Sequence, residues 1–332
     1  MNRFWRWRPA FLEAHRSRKA WLGLLRFMLA WPVLALLPAL LAYLIGAFIG
    51  AWLLRGLDIL TLDFWMVFRN VFHDRMIFGG AVGDLIHGIP DAGGFVTLGI
   101  GTVLAGSWAY RTPLMSWITA APRFRWRLVV WGFACCAAVF AGGLVLQGVI
   151  SHDGYHPDFG WAEDKPRVIA FYLTVSVLVT VLQSSAEEVL FRGSLMRQGW
   201  MFVRNGPVII VLSASAFALA HRELDPPRLL QLFLAGLAFA WVAMRSGGIE
   251  WSMGMHAAWN LAFDFITDRS DLSLRRGDHL GVVSQWERFA TEWAVFLVLP
   301  LLLIVTTELV LRAPRLRAMV DLNSNAAAEP GP

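Results

Sequence analysis

Charge is scarce in this chain. Asp, Glu, Lys and Arg together make up 16% of its 332 residues, against roughly a quarter in soluble domains, and that shortage excludes an ordinary soluble fold. Cysteine is nearly absent. The two present, Cys135 and Cys136, are adjacent in an apolar run, where strain forbids their pairing with each other and the spacing offers no metal-ligand set. They read as small buried hydrophobes. No internal repeat, no separate soluble domain and no symmetry between two halves is evident. Basic residues are spread among loops and not gathered on one amphipathic surface, which excludes a nucleic-acid partner.

What the chain has in abundance is apolar length. Hydrophobic residues make up 57% of it and the mean hydropathy is +0.54. There are 17 Trp, and Trp52, Trp126, Trp200, Trp251 and Trp293 fall near the ends of apolar runs, as interfacial indoles do. The class is therefore all-α, a polytopic transmembrane helical bundle. A window of about 19 residues gives eight spans, at 28–54, 93–111, 128–150, 171–199, 207–226, 229–245, 248–267 and 293–311. The first run is too long for a signal peptide and lacks a small-residue exit, so it reads as an uncleaved span. The chain divides into a basic amino terminus (1–27), amino-terminal helices and loops (28–160), a core (161–270), an outer loop with the last span (271–312) and a polar, disordered tail (313–332).

Loop charge orients the bundle. Seven basic residues, Arg3, Arg6, Arg8, Arg16, Arg18, Lys19 and Arg26, precede the first span against the single acid Glu13, which places the amino terminus in the cytoplasm. The segment 55–92 carries five aspartates and reads as outside; 111–127, with Arg111, Arg123, Arg125 and Arg127, as inside; the acidic 151–166 as outside. Arg197, Arg204, Arg245, Arg312, Arg315 and Arg317 mark the remaining cytoplasmic ends. Both termini are expected inside, and the short chain favours a bacterial inner membrane.

The ionisable and strongly polar residues within spans then become the informative ones, because charge near a bilayer centre needs a partner or a cavity. They are Glu187, Glu188 and Arg192 in the stretch SSAEEVLFRG, His221 in SASAFALAH, and His256, Asn260 and Asp264 in HAAWNLAFD. Glu188 and Arg192 are four apart and can pair on one helix face. Glu187 is turned about 100° away and is expected to stay unpartnered, with a carboxyl shifted toward the range a general base on water needs. His221 lies four residues from Phe217, and His256 four from Asn260, so each pair shares a face. Two imidazoles and a carboxamide lining one cavity can stabilise an oxyanion or ligate a metal. Asp264 reads equally as a group orienting Asn260 and as a solvated residue at the outer interface. Depth tests the assembly: a fourth helix centred near Glu187, with 167–175 interfacial, or a long and tilted one meets His256, whereas one beginning at Arg167 and running straight would carry Glu187 to the inner interface.

EEVLFR at 187–192, FALAH at 217–221 and HAAWN at 256–260 resemble, in order, the motifs EExxxR, FxxxH and HxxxN of the CPBP family, which comprises CAAX-processing type II proteases and bacteriocin-processing proteins. The glycine after the arginine, as FRG, adds to the likeness, which makes 161–270 the catalytic core. The resemblance implies an intramembrane endopeptidase that hydrolyses a peptide bond in a membrane-associated protein or peptide. It implies that Glu187 activates water, His221 helps hold that water or the attacked carbonyl, His256 and Asn260 stabilise the oxyanion, and Glu188 and Arg192 support. Glu187, His221 and His256 could instead surround zinc with a water in the open position. HExxH is absent, and the metal-free reading is the one taken. A proton-coupled carrier using the same polar cluster and a non-catalytic membrane scaffold are the alternatives. Nothing in the sequence selects the substrate or an oligomeric state.

Overall fold

The computed structural model describes residues 10–13, 20–55, 81–151, 155–157, 166–222, 226–266, 274–276 and 294–313. Along the chain these form α1 (Ala10–Glu13), α2 (Ala20–Trp31), a π-turn (Pro32–Leu36), α3 (Leu37–Arg55), α4 (Ala81–Tyr110) and α5 (Trp126–Ser151). Then come β1 (Tyr155–Pro157), α6 (Pro166–Glu188), a second π-turn (Val189–Leu195), α7 (Met196–Phe202), α8 (Gly206–Ala220), α9 (Pro226–Ser246), α10 (Glu250–Ile266), β2 (Leu274–Arg276) and α11 (Ala294–Arg312). A helix stands at each of the eight windows read from the sequence. Among the described residues four stretches, Ala20–Ile49, Pro90–Tyr110, Trp126–Gly143 and Arg228–Ser246, are long and apolar enough to cross a membrane by length and composition.

One expectation is corrected. The segment 55–92, read as an outer loop, is already helical from Ala81. Asp84, His87 and Asp91 lower the hydropathy there without breaking a helix, and Pro90 is accommodated inside α4. The fold is all-α, and among the described residues a short pairing of Tyr155–Pro157, antiparallel to Leu274–Arg276, accompanies the helices. Helix α6 begins at Pro166, so the fourth helix is the long one of the two arrangements that bring Glu187 to His256, and the site assembles. What sets the meeting height is helix on helix: α10 packs against both α5 and α6.

Two contacts order the ends of the bundle. The 111–125 connection meets the α9–α10 turn through Ile249 N–H to the Ile118 carbonyl at 2.9 Å and Ala120 N–H to the Gly247 carbonyl at 3.0 Å. The β1–β2 pair ties the far ends of α5 and α10. Connections before α5 and α10 therefore share one end, and the strands after them share the other. Helices α5 and α10 approach closely because both are bare at the crossing. A Cβ on Gly132 would strike the Trp251 carbonyl, and one on Gly254 the Val129 carbonyl, the small-residue seam that lets membrane helices pack backbone to backbone.

The core lies between α5, α8, α9, α10 and α11 and includes Cys136, Phe217, Phe239, Trp251 and Trp259. Cys136 is buried and both cysteines are free. A second cluster gathers Phe11 and Leu12 of α1 with Met196, Trp200 and Ile209. Outward, large apolar side chains such as Leu29, Leu37, Val130, Leu178, Leu302 and Leu309 are exposed. A surface of that kind is matched by lipid, and the protein is an integral membrane protein.

Candidate active site

The stretch SSAEEVLFRG straddles a change of helix type. Helix α6 ends at Glu188, and the next seven residues, Val189–Leu195, wind as a π-helix, a feature that recurs at functional sites. Two contacts from outside the helix support it. The Ser213 hydroxyl of α8 donates to the Phe191 carbonyl at 3.1 Å, and a Cβ on Gly193 would lie 2.6 Å from the Trp117 carbonyl. The glycine of FRG is therefore there because another backbone passes against it.

Glu188 and Arg192 form the pair their spacing called for. Arg192 Nη1 donates to Glu188 Oε1 at 2.9 Å with both side chains 0% exposed, and Arg192 Nη2 donates to the Gly236 carbonyl of α9 at 3.1 Å. The guanidinium also lies 4.6 Å from the Phe217 ring centre and 5.4 Å from that of Phe239, so aromatic faces help to hold a cation with no water contact.

His256 changes the reading of the two glutamates. Its Nδ1 lies 2.9 Å from Glu188 Oε1, and its Nε2 lies 3.6 Å from Glu187 Oε2. One imidazole spans both acids, and Glu187 is not unpartnered as its angular position implied. Gln183, one turn earlier, donates from Nε2 to Glu187 Oε1 at 3.1 Å. The correction has a simple cause. An angle of 100° separates side chains on an isolated helix, but an aromatic ring from a facing helix reaches across that angle. Glu188 paired with Arg192 is an ionised acceptor, so Nδ1 carries the proton it receives and Nε2 is left to face Glu187. Phe239 stacks on the ring at 4.6 Å with a 23° interplanar angle and fixes its plane.

Asn260 joins the cluster through a third residue. Its Nδ2 donates to the Ser184 hydroxyl at 3.2 Å. His221 is held apart. It caps α8, its Nδ1 is 2.8 Å from the Phe217 carbonyl, and it is exposed. The Phe217 ring lies between the two histidines, 4.6 Å from His221 and 5.4 Å from His256. Asp264 lies on α10, but its side chain is outside the described residues. Among the described residues no three His, Cys, Asp or Glu side chains are arranged to hold a metal ion. Glu187, His221 and His256 form no such group, and the Phe217 ring contacts both imidazoles.

Three buried polar atoms of the cluster lack a hydrogen-bond partner among the described residues: Glu187 Oε2, Glu188 Oε2 and Arg192 Nε. Glu187 Oε2 is the one that faces the outer nitrogen of a histidine. Gln183, Ser184, Phe239 and the Gly236 carbonyl were missed by sequence reasoning. The first two carried a signal, since they are polar residues in an apolar helix and stand four residues before Glu187 and Glu188.

Comparison with known proteins falls on this same region. Residues 168–262 match the family model described as Type II CAAX prenyl endopeptidase Rce1-like, a segment running from the start of α6 to just past Asn260. A curated relative, "Uncharacterized protein YyaK" of Bacillus subtilis, is 24% identical over 207 residues, 58% of this chain and 66% of that protein. The match thus spans just under two thirds of that relative's length. No solved structure gives a match.

Proposed function

We propose that this protein is an intramembrane endopeptidase that cleaves a peptide bond in a membrane-associated protein or peptide, with Glu187 as general base. The observation that carries the reading is the buried Glu187 Oε2, without a hydrogen bond among the described residues and set 3.6 Å from His256 Nε2. With Nδ1 donating to Glu188, a neutral His256 presents a lone pair at Nε2, so two acceptors face each other. One water donating to both turns its own lone pairs toward a carbonyl carbon. Glu187 takes the proton as the water attacks, and Glu188 keeps the imidazole in tautomer and orientation, a part that orienting carboxylates play beside catalytic histidines. The Asn260 amide has one N–H engaged by Ser184 and one left for the developing oxyanion. Glu187 then returns its proton to the leaving amine.

His221 stands one ring further out. With Nδ1 donating to Phe217, its Nε2 is an acceptor suited to holding the incoming water. The reaction proposed is the metal-free one. The family match on 168–262 supports the reaction class, and prenylated carboxy-terminal peptides are the first substrates to try.

The test is to reconstitute the protein in lipid with an internally quenched farnesylated CAAX peptide and compare it with Glu187→Gln and His256→Ala. Cleavage is expected for the parent and absent from Glu187→Gln. Undiminished cleavage by Glu187→Gln sinks the mechanism. Chelator treatment is expected to leave the rate unchanged.

A further inference from the structure

The turn before the glutamates supplies a contact to each half of the proposed machinery. Gln183 and Glu187 stand four apart on one stripe of α6, and Ser184 and Glu188 on the next. Ser184 is wholly buried, and its hydroxyl accepts from Asn260 Nδ2 at 3.2 Å. An asparagine carboxamide can present either its oxygen or its nitrogen to a cavity, and the two ends have opposite hydrogen-bonding sense. With Nδ2 on Ser184, the amide's second N–H stays on the same end of the group. Gln183 does the corresponding thing for the base. By donating to Glu187 Oε1 at 3.1 Å it occupies one oxygen and leaves the other, Oε2, toward His256 Nε2.

From this geometry we infer that Gln183 and Ser184 are positioning residues: Ser184 holds Asn260 with its amide nitrogen toward the oxyanion, and Gln183 selects Oε2 of Glu187 as the atom that takes the proton. The inference rests on the hydrolytic reading above. Neither residue touches the reacting atoms, so each acts on turnover through the group it holds, and substrate affinity is untouched. The Ser184–Asn260 bond is neutral, and its loss is expected to lower kcat about 5- to 10-fold; the Gln183 bond runs to a carboxylate, and its loss is expected to cost about 10-fold or more.

The experiment uses the full chain in lipid with the quenched farnesylated peptide. Ser184→Ala and Gln183→Leu are expected to lower kcat with KM and melting temperature unchanged. Ser184→Thr and Ser184→Val share one shape and differ by the hydroxyl, so Thr is expected to turn over several-fold faster than Val even where the added methyl lowers both. Equal rates for Thr and Val, or losses in Ser184→Ala and Gln183→Leu that appear in KM or melting temperature instead of kcat, overturn the assignment while leaving Glu187 as base. A parent protein that cleaves no peptide overturns the hydrolytic reading and this inference with it.

Discussion

Two buried carboxylates illustrate different uses of charge in this protein. Glu250, at the start of α10, is wholly enclosed and receives Arg125 through Nε at 2.9 Å and Nη2 at 2.8 Å. The same arginine donates from Nη1 to the Ser246 carbonyl at 2.8 Å and from Nη2 to Thr119 Oγ1 at 3.2 Å. Both oxygens and every guanidinium nitrogen are engaged. Glu187 is about as deep, at 6% exposure, but one oxygen accepts from Gln183 while the other, 3.6 Å from His256 Nε2, has no hydrogen bond among the described residues. A fork-to-fork pair with all its sites filled is a clasp, here closing the α9–α10 turn onto the 111–125 connection. A buried acid with an open oxygen beside a histidine nitrogen is arranged for a further partner.

The sharpest way to break the comparison is to alter each acid and read both activity and stability. Glu187→Gln keeps shape and removes the base, so peptide turnover is expected to fall by about 10²- to 10⁴-fold with little change in thermal unfolding in detergent. Glu250→Ala strands Arg125 in a buried site, and unfolding is expected to cost about 3–5 kcal/mol less, with turnover per folded molecule preserved. If Glu187→Gln unfolds the protein and Glu250→Ala silences it, the two roles are reversed.

Much of the helical layout was legible because apolar length is a local property. A helix occupies every window read from hydropathy. The early start of α4 was hidden by Asp84, His87, Pro90 and Asp91, which reduce hydropathy while remaining compatible with a helix. Within the site, the Glu188–Arg192 pair followed from four-residue spacing, as did the placing of Asn260 one turn from His256. The bridge from His256 to both glutamates did not, because it depends on where α10 crosses α6. Arg125 was read as a loop charge marking the cytoplasmic side. Its partner Glu250 is 125 residues away, and no local pattern joins them. The π-turn was likewise invisible, although its glycine stood in the quoted motif.

That glycine gives the next smaller test. Gly193 has the Trp117 carbonyl 2.6 Å from where a Cβ would stand, so Gly193→Ala must push the 3₁₀ turn Leu114–Trp117 away from the π-turn. Overpacking of this sort costs about 1–3 kcal/mol. The displaced segment leads directly into Ile118, Thr119 and the Arg125 clasp. Gly193→Ala is therefore expected to lower the melting temperature and also to shift turnover, linking the two regions that the acid substitutions separate. An unchanged melting temperature would mean that the two backbones are free to part there.

A third ion pair sets the lower bound. Arg245 donates to Glu308 from Nε at 2.5 Å and Nη2 at 2.8 Å, with the Trp241 indole on the same acid at 3.0 Å. The geometry is as forked as that of Arg125 with Glu250. What differs is exposure, since these side chains are 34% and 29% exposed, against 9% and 0% for the clasp. Water screens such a pair and rehydrates whichever partner is left behind, so its net contribution falls to about 1 kcal/mol or less. Glu308→Gln is expected to shift unfolding by no more than that and to leave turnover alone. A loss as large as that of Glu250→Ala would show that geometry, and not burial, decides which carboxylates hold this bundle together.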